Sequence, residues 1–220
     1  MTRPDSDPSD DNPFSTRYTR PGAIPFRFPP GSGADELVAQ LRSEGWRGAI
    51  VGPHGSGKSS LVSALVPAIR RAGKEVLLVE LHDGQRRLPV DLEKRSGVFV
   101  CPDDPAAKAI DPTKTPDPFS CVVIVDGYEQ LSWWNRLRLR RVSRRRGLGL
   151  VVTSHARTAL PLLFRTATSL GLARTIVQSL LAGRPELVTA EQLARRFESR
   201  QGDLRELLFD LYDLYEERRP

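Results

Sequence analysis

Cysteine is almost missing from this chain of 220 residues, which has only Cys101 and Cys121. Two thiols are too few for a disulfide framework, and neither has a neighbouring Cys or His at metal-ligand spacing, so a disulfide-stapled fold and a thiolate metal site are both set aside. Long apolar runs are missing too. No stretch approaches the roughly 20 residues that a membrane-spanning helix requires, so no membrane partner is expected. The opening Met1-Thr2-Arg3-Pro4-Asp5 leads into acidic and prolyl positions instead of an apolar segment, which argues against a secretory signal and makes the cytoplasm the expected compartment. Negative charge is the scarcer sign: 27 Asp and Glu against 33 Lys and Arg leave a net charge of +6. That balance suits a polyanionic partner such as nucleic acid without requiring one.

What the chain does contain is 39% apolar and 27% charged residues, enough for one globular core with some unstructured sequence. Residues 1–13 are acidic and prolyl, with too little apolar surface to offset the entropy of ordering, and read as a disordered tail. In 14–33 the side chains of Phe14, Tyr18, Ile24, Phe26 and Phe28 alternate with arginines and prolines. This predicts an extended linker packed across a domain surface. A helix capped by Asp35 is expected to run to about 43 and end at Gly45, followed by a strand at 46–51. Further strands are expected at 75–81, 121–125, 148–153 and 160–164, with a helix to about 72 before them and another at 129–146 among them. Their continuous apolar runs are of the kind buried on both faces of a parallel sheet. The stretch from about 88 to 119 reads as an irregular insertion, with a short strand at 98–100. From 169 onward the pattern is helical, at 170–181, 189–200 and 203–217, and Thr189 with Gln192 forms a capping-box signature.

Chemistry concentrates in residues 52–59, Gly52-Pro53-His54-Gly55-Ser56-Gly57-Lys58-Ser59, which match G-x-x-x-x-G-K-[ST] between a strand and a helix. The glycines let successive N–H groups curl around an anion, and the helix that follows, through Ser60, adds the positive end of its dipole. Lys58 is the expected ligand of the β- and γ-phosphates of ATP, and Ser59 of Mg²⁺. Downstream, the apolar run 121–125 ends in Asp126, the arrangement that supplies a carboxylate to the Mg²⁺ shell. Glu129 is the candidate for polarising an attacking water, while Gly127 occupies the adjacent position. Thr153-Ser154-His155 ends the next strand, at the sheet edge where ligands bind in doubly wound folds. The helix Trp133-Trp134-Asn135 through Arg136–Arg146 is strongly basic, and reads either as a solvated face or as a phosphate-binding surface for DNA or RNA.

Taken with Gln201-Gly202-Asp203-Leu204-Arg205 in the helical tail, these motifs resemble the AAA+ ATPases, and more narrowly their origin-recognition-like and STAND branches. The resemblance implies a P-loop NTPase fold, a three-layer αβα arrangement of α/β class with a parallel sheet in the order 5-1-4-3-2. It also implies a domain over 14–168 and a small helical lid over 169–220. It implies that Arg205 acts as a sensor over the γ-phosphate and that Thr153 and Ser154 form a second sensor. No arginine finger is assignable, Arg157 and Arg165 being nearest by position, so the resemblance leaves oligomeric state open. The expected function is an ATP-binding switch with Mg²⁺-dependent hydrolysis. Two other classes share the loop: a nucleotide-gated module that binds nucleic acid or a protein with little turnover, and a small-molecule kinase.

Overall fold

The computed structural model of the chain describes residues 12–82, 84–87 and 120–218. Its contacts divide it into two compact units, one of Arg27–Gly52 with Leu61–Arg165, the other of Met1–Phe26, Pro53–Ser60 and Thr166–Pro220.

The first unit is built on the apolar runs. Strands β1 (Arg47–Val51), β2 (Glu75–Glu80), β3 (Cys121–Asp126), β4 (Gly149–Ser154) and β5 (Leu162–Arg165) form one sheet in the order β2-β3-β4-β1-β5. Every pairing is parallel. A strand such as β3, buried from Cys121 through Val125, has no polar face to offer water, so it needs cover on both sides, and flanking helices provide it. The helices of this unit are α2 (Ala34–Ser43), most of α3 (Lys58–Arg71) and α4 (Trp133–Arg145). The α/β class follows directly. Register matters most for function: Val51 lies beside Ser154 and Val125 beside Val152, so β1, β4 and β3 end along one edge.

Several boundaries differ from expectation, each for a local reason. Helix α2 is capped by Gly33 instead of Asp35, which sits in the first turn and pairs with Arg71 at 2.8 Å. Strand β1 starts at Arg47 because Gly45 and Trp46 are both left-handed, at φ 64° and 60°. This turns the Trp46 N–H back onto the Leu41 carbonyl at 2.7 Å and buries the indole against Arg42 and Lys74. The expected strand at 98–100 and the insertion at 88–119 lie outside the described residues.

The second unit is helical: α1 (Thr16–Thr19), α5 (Leu170–Leu180), α6 (Ala190–Ser199) and α7 (Leu204–Glu217). Its core gathers Phe14, Ala173, Ile176, Leu193, Leu207 and Leu211. The α6 capping box forms as its spacing predicts, with Gln192 N–H donating to Thr189 Oγ1 and Thr189 N–H to the Gln192 side chain. The expectation of a disordered tail through residue 13 is corrected at its last two positions. Asn12 is fully buried, its amide donating to the Tyr212 carbonyl at 3.1 Å and to Glu216 at 2.7 Å. Phe14 then packs edge-on against Tyr215 with ring centroids 6.5 Å apart. The linker is accordingly not wholly extended: Phe14 enters a core and 16–19 make a helical turn.

Candidate functional site

In the helical unit the glycine-rich loop has the conformation that its sequence demands. Gly55 and Gly57 are left-handed, at φ 60° and 86°, which side chains rarely tolerate. Ser56 is buried; its hydroxyl donates to the Pro53 carbonyl at 2.7 Å and meets Thr166 Oγ1 at 2.6 Å. A hydroxyl has one proton, so Thr166 is the donor in the second contact. Lys58 is 9% exposed, and its ammonium donates to the Pro53 carbonyl at 2.6 Å, so that it spans its own loop. Ser59 and Ser60 follow in the first turn of α3, half-buried, while Pro53 and His54 are exposed.

Two neighbours of this loop are not apparent from its sequence. Phe26 lies against Gly57, where an added Cβ would be 3.6 Å from the ring. Asp203 lies against Gly55 so closely that a Cβ there would stand 1.8 Å from its Oδ1. The same carboxylate caps α7, accepting from the N–H groups of Arg205 at 2.9 Å and Glu206 at 3.1 Å. The loop therefore meets the first residue of the Asp203-Leu204-Arg205 run. Arg205 itself is exposed, with its guanidinium over the Phe209 ring at 5.6 Å. The signal for Asp203 is its position immediately before an amphipathic helix, where Asp is a preferred cap.

In the sheet unit the strand ends bring together Asp126, Gly127, Glu129, Thr153 and His155. The Thr153 hydroxyl, wholly buried, donates to Asp126 Oδ1 at 2.5 Å and accepts from the Gly127 N–H at 2.9 Å. Its single proton and its acceptor position are both used in fixing the Asp126 carboxylate and the turn behind it. Gly127 has φ 83°, and a Cβ there would be 2.7 Å from the Leu81 carbonyl. A side chain at that position would be strained and would push on the Leu81 carbonyl, which disfavours a glutamate directly after Asp126.

The chain instead makes a 3-10 turn, Tyr128–Gln130, and Glu129 sits on it. This corrects the expected helix at 129–146: α4 starts at Trp133, capped by Ser132, because Leu131 is extended. Glu129 Oε1 pairs with His155 Nε2 at 2.6 Å, and Oε2 is buried with no hydrogen-bond partner. Arg136 secures the turn, donating to the Glu129 carbonyl at 2.5 Å and the Leu131 carbonyl at 2.8 Å and lying over the Tyr128 ring. Burial pushes the Tyr128 phenol above its ordinary value, against the opposing pull of Arg140 and Arg136. Ser154 is buried, its Oγ accepting from the Ala156 N–H and its carbonyl from the Gly52 N–H.

Asp126 and Ser59 are hard oxygen donors of the kind Mg²⁺ takes while keeping most of its waters. Among the described residues there is no cluster of three or more His, Cys, Asp or Glu side chains suited to an all-protein metal site. Nor is any helix among them long and apolar enough to cross a membrane. A scan of protein-family models finds no match to the chain, and a search of curated proteins finds none.

Proposed function

We propose that this chain binds ATP with Mg²⁺ and hydrolyses it slowly, using the helices α5–α7 as a lid that reports the nucleotide's state. The observation that carries the reading is the loop 52–59 between β1 and α3, with Gly55 and Gly57 left-handed and Lys58 buried, its ammonium turned back onto the Pro53 carbonyl. Curled backbone N–H groups at a helix N-terminus, with a lysine inside the curl, suit the phosphates of a nucleotide and few other ligands. The finer fold we propose with it is a P-loop NTPase of AAA+ type, a reading with which the sheet order, 5-1-4-3-2 from its other edge, is compatible.

Within that reading, the loop amides and Lys58 would hold the phosphates, and Ser59 and Asp126 would supply oxygens to Mg²⁺. The metal, when bound, neutralises charge on the phosphate oxygens. Thr153 keeps Asp126 oriented. Glu129 orients the attacking water once its Oε1 parts from His155. The departure of ADP or phosphate changes the charge beside Asp203, the cap of α7, and so biases the position of the lid. Arg205, in the first turn of the same helix, reads the γ-phosphate as the lid closes.

The Glu129–His155 pair favours a second reading, in which turnover is negligible and the nucleotide gates binding of a nucleic acid or protein. One experiment separates them. Lys58→Ala is expected to abolish the thermal stabilisation given by ATP and Mg²⁺; an undiminished shift counts against the whole site. Glu129→Gln is expected to lower the phosphate-release rate at least tenfold while ATP still stabilises. A wild-type rate at background, unchanged in the variant, selects the gating reading.

A further inference from the structure

The outer face of α4 carries an arrangement that nucleotide binding does not use. Trp133 and Trp134 open the helix 64% and 71% exposed, their rings 4.3 Å apart at 68°. Indoles carry large apolar areas that folding ordinarily buries, so two adjacent exposed ones mark a surface that something covers. Helical spacing extends them into two rows, Trp133-Leu137-Arg140-Arg144 and Trp134-Arg138-Arg141-Arg145. Leu137, Arg138, Arg141, Arg144 and Arg145 are exposed, while the opposite side buries Leu139, Val142 and Ser143.

A second observation lies at the arginine end of the first row. Arg47, where β1 starts, gathers with Arg140 and Arg144, and its guanidinium is held below the ordinary arginine value by burial and then by those two like charges. Arg47 Nη1 and Arg140 Nε are both buried without a hydrogen-bond partner. Buried donors left unmade are costly, as are cations pressed together. An oxyanion with several lone pairs relieves both at once.

We propose that the outer face of α4, together with Arg47, binds single-stranded nucleic acid: Arg47, Arg140 and Arg144 take backbone phosphate, and Trp133 and Trp134 stack on bases. Indole faces need unpaired bases, which a duplex keeps in its own stack, so the aromatic end selects the single strand. An anionic membrane is the poorer fit. A helix lying in a bilayer interface needs an apolar face to insert, and that face of α4 is spent in the protein core. An acidic peptide would answer the arginines but leave the exposed indole faces without a planar partner.

The test is fluorescence anisotropy of a short labelled oligothymidylate with the full chain, against a duplex of the same length, phosphatidylserine vesicles and polyglutamate as competitors. The single strand is expected to bind at least about tenfold tighter than the duplex, with log affinity falling linearly as log salt rises. Replacing Trp133→Ala and Trp134→Ala together is expected to weaken oligonucleotide binding about tenfold and leave the salt slope unchanged. Arg47→Gln and Arg140→Gln are expected to lower that slope by about 0.7 for each phosphate no longer neutralised. The exposed tryptophans can be removed without touching the core, so the indole variant remains informative if Arg47→Gln folds poorly. No binding at low salt, equal affinity for duplex, an indole variant that binds undiminished, or displacement by vesicles or polyglutamate as effective as by unlabelled oligonucleotide would each overturn the proposal.

Discussion

A single carboxylate, Asp203, is both the cap of α7 and the immediate neighbour of Gly55 in the glycine-rich loop. The two roles can be separated by chemistry. Asparagine caps helices as well as aspartate does but carries no charge. Asp203→Asn is therefore expected to leave thermal stability within about 0.5 kcal/mol and to tighten ATP binding by about 1 kcal/mol, roughly fivefold, as a like charge is withdrawn. Titration calorimetry with a melting curve reads both, and an unchanged affinity would show that Asp203 is only a cap. Gly127 is the complementary case, where geometry alone decides. Alanine there must adopt φ 83° and push on the Leu81 carbonyl, so Gly127→Ala is expected to cost about 2 kcal/mol or more, read by denaturant unfolding.

At the scale of elements, α4 depends on a cap that the sequence did not disclose. Ser132 accepts from the Asn135 N–H and side chain, at 3.4 and 2.9 Å, and fixes where the 3-10 turn stops and the helix begins. Ser132→Ala is expected to cost about 1 kcal/mol in a thermal melt. The strands, the loop between β1 and α3, and the capping box of α6 are legible because each rests on a local pattern: apolar continuity, spaced glycines, or Thr followed by Gln. The turn after Asp126 is not, since it is set by Leu81, a residue distant in sequence that closes off the space beside Gly127. Asp203 is hard to read for a related reason. The resemblance of its run to the AAA+ lid draws attention to Arg205 as a sensor, whereas the approach of Asp203 to Gly55 comes from tertiary packing that no window of sequence contains. Trp133 and Trp134 belong to a helix that the sequence leaves open between a solvated face and a phosphate-binding one, and their exposure opposite the buried Leu139 and Val142 places them on its outer side.

At the scale of the molecule, each unit has its own core, and Phe14 belongs to only one of them. It is 1% exposed among Ala173, Leu207 and Leu211 of the helical unit. Phe14→Ala is expected to destabilise that unit by about 3–5 kcal/mol. Hydrogen exchange should therefore quicken across α5–α7 while the central strands keep their protection; uniform quickening would mean that the units unfold as one.

The helical unit also draws on three separated stretches, Met1–Phe26, Pro53–Ser60 and Thr166–Pro220, whereas the sheet needs nothing beyond Arg165. On the ribosome these have different due dates. The sheet can close as soon as β5 emerges, but the surroundings of Gly55 and Ser56 wait for Thr166 and Asp203, and the seat of Asn12 waits for Glu216. A nascent chain thus completes its scaffold before its glycine-rich loop has its final neighbours, so under the proposed function nucleotide would mark the finished protein but not the half-made one.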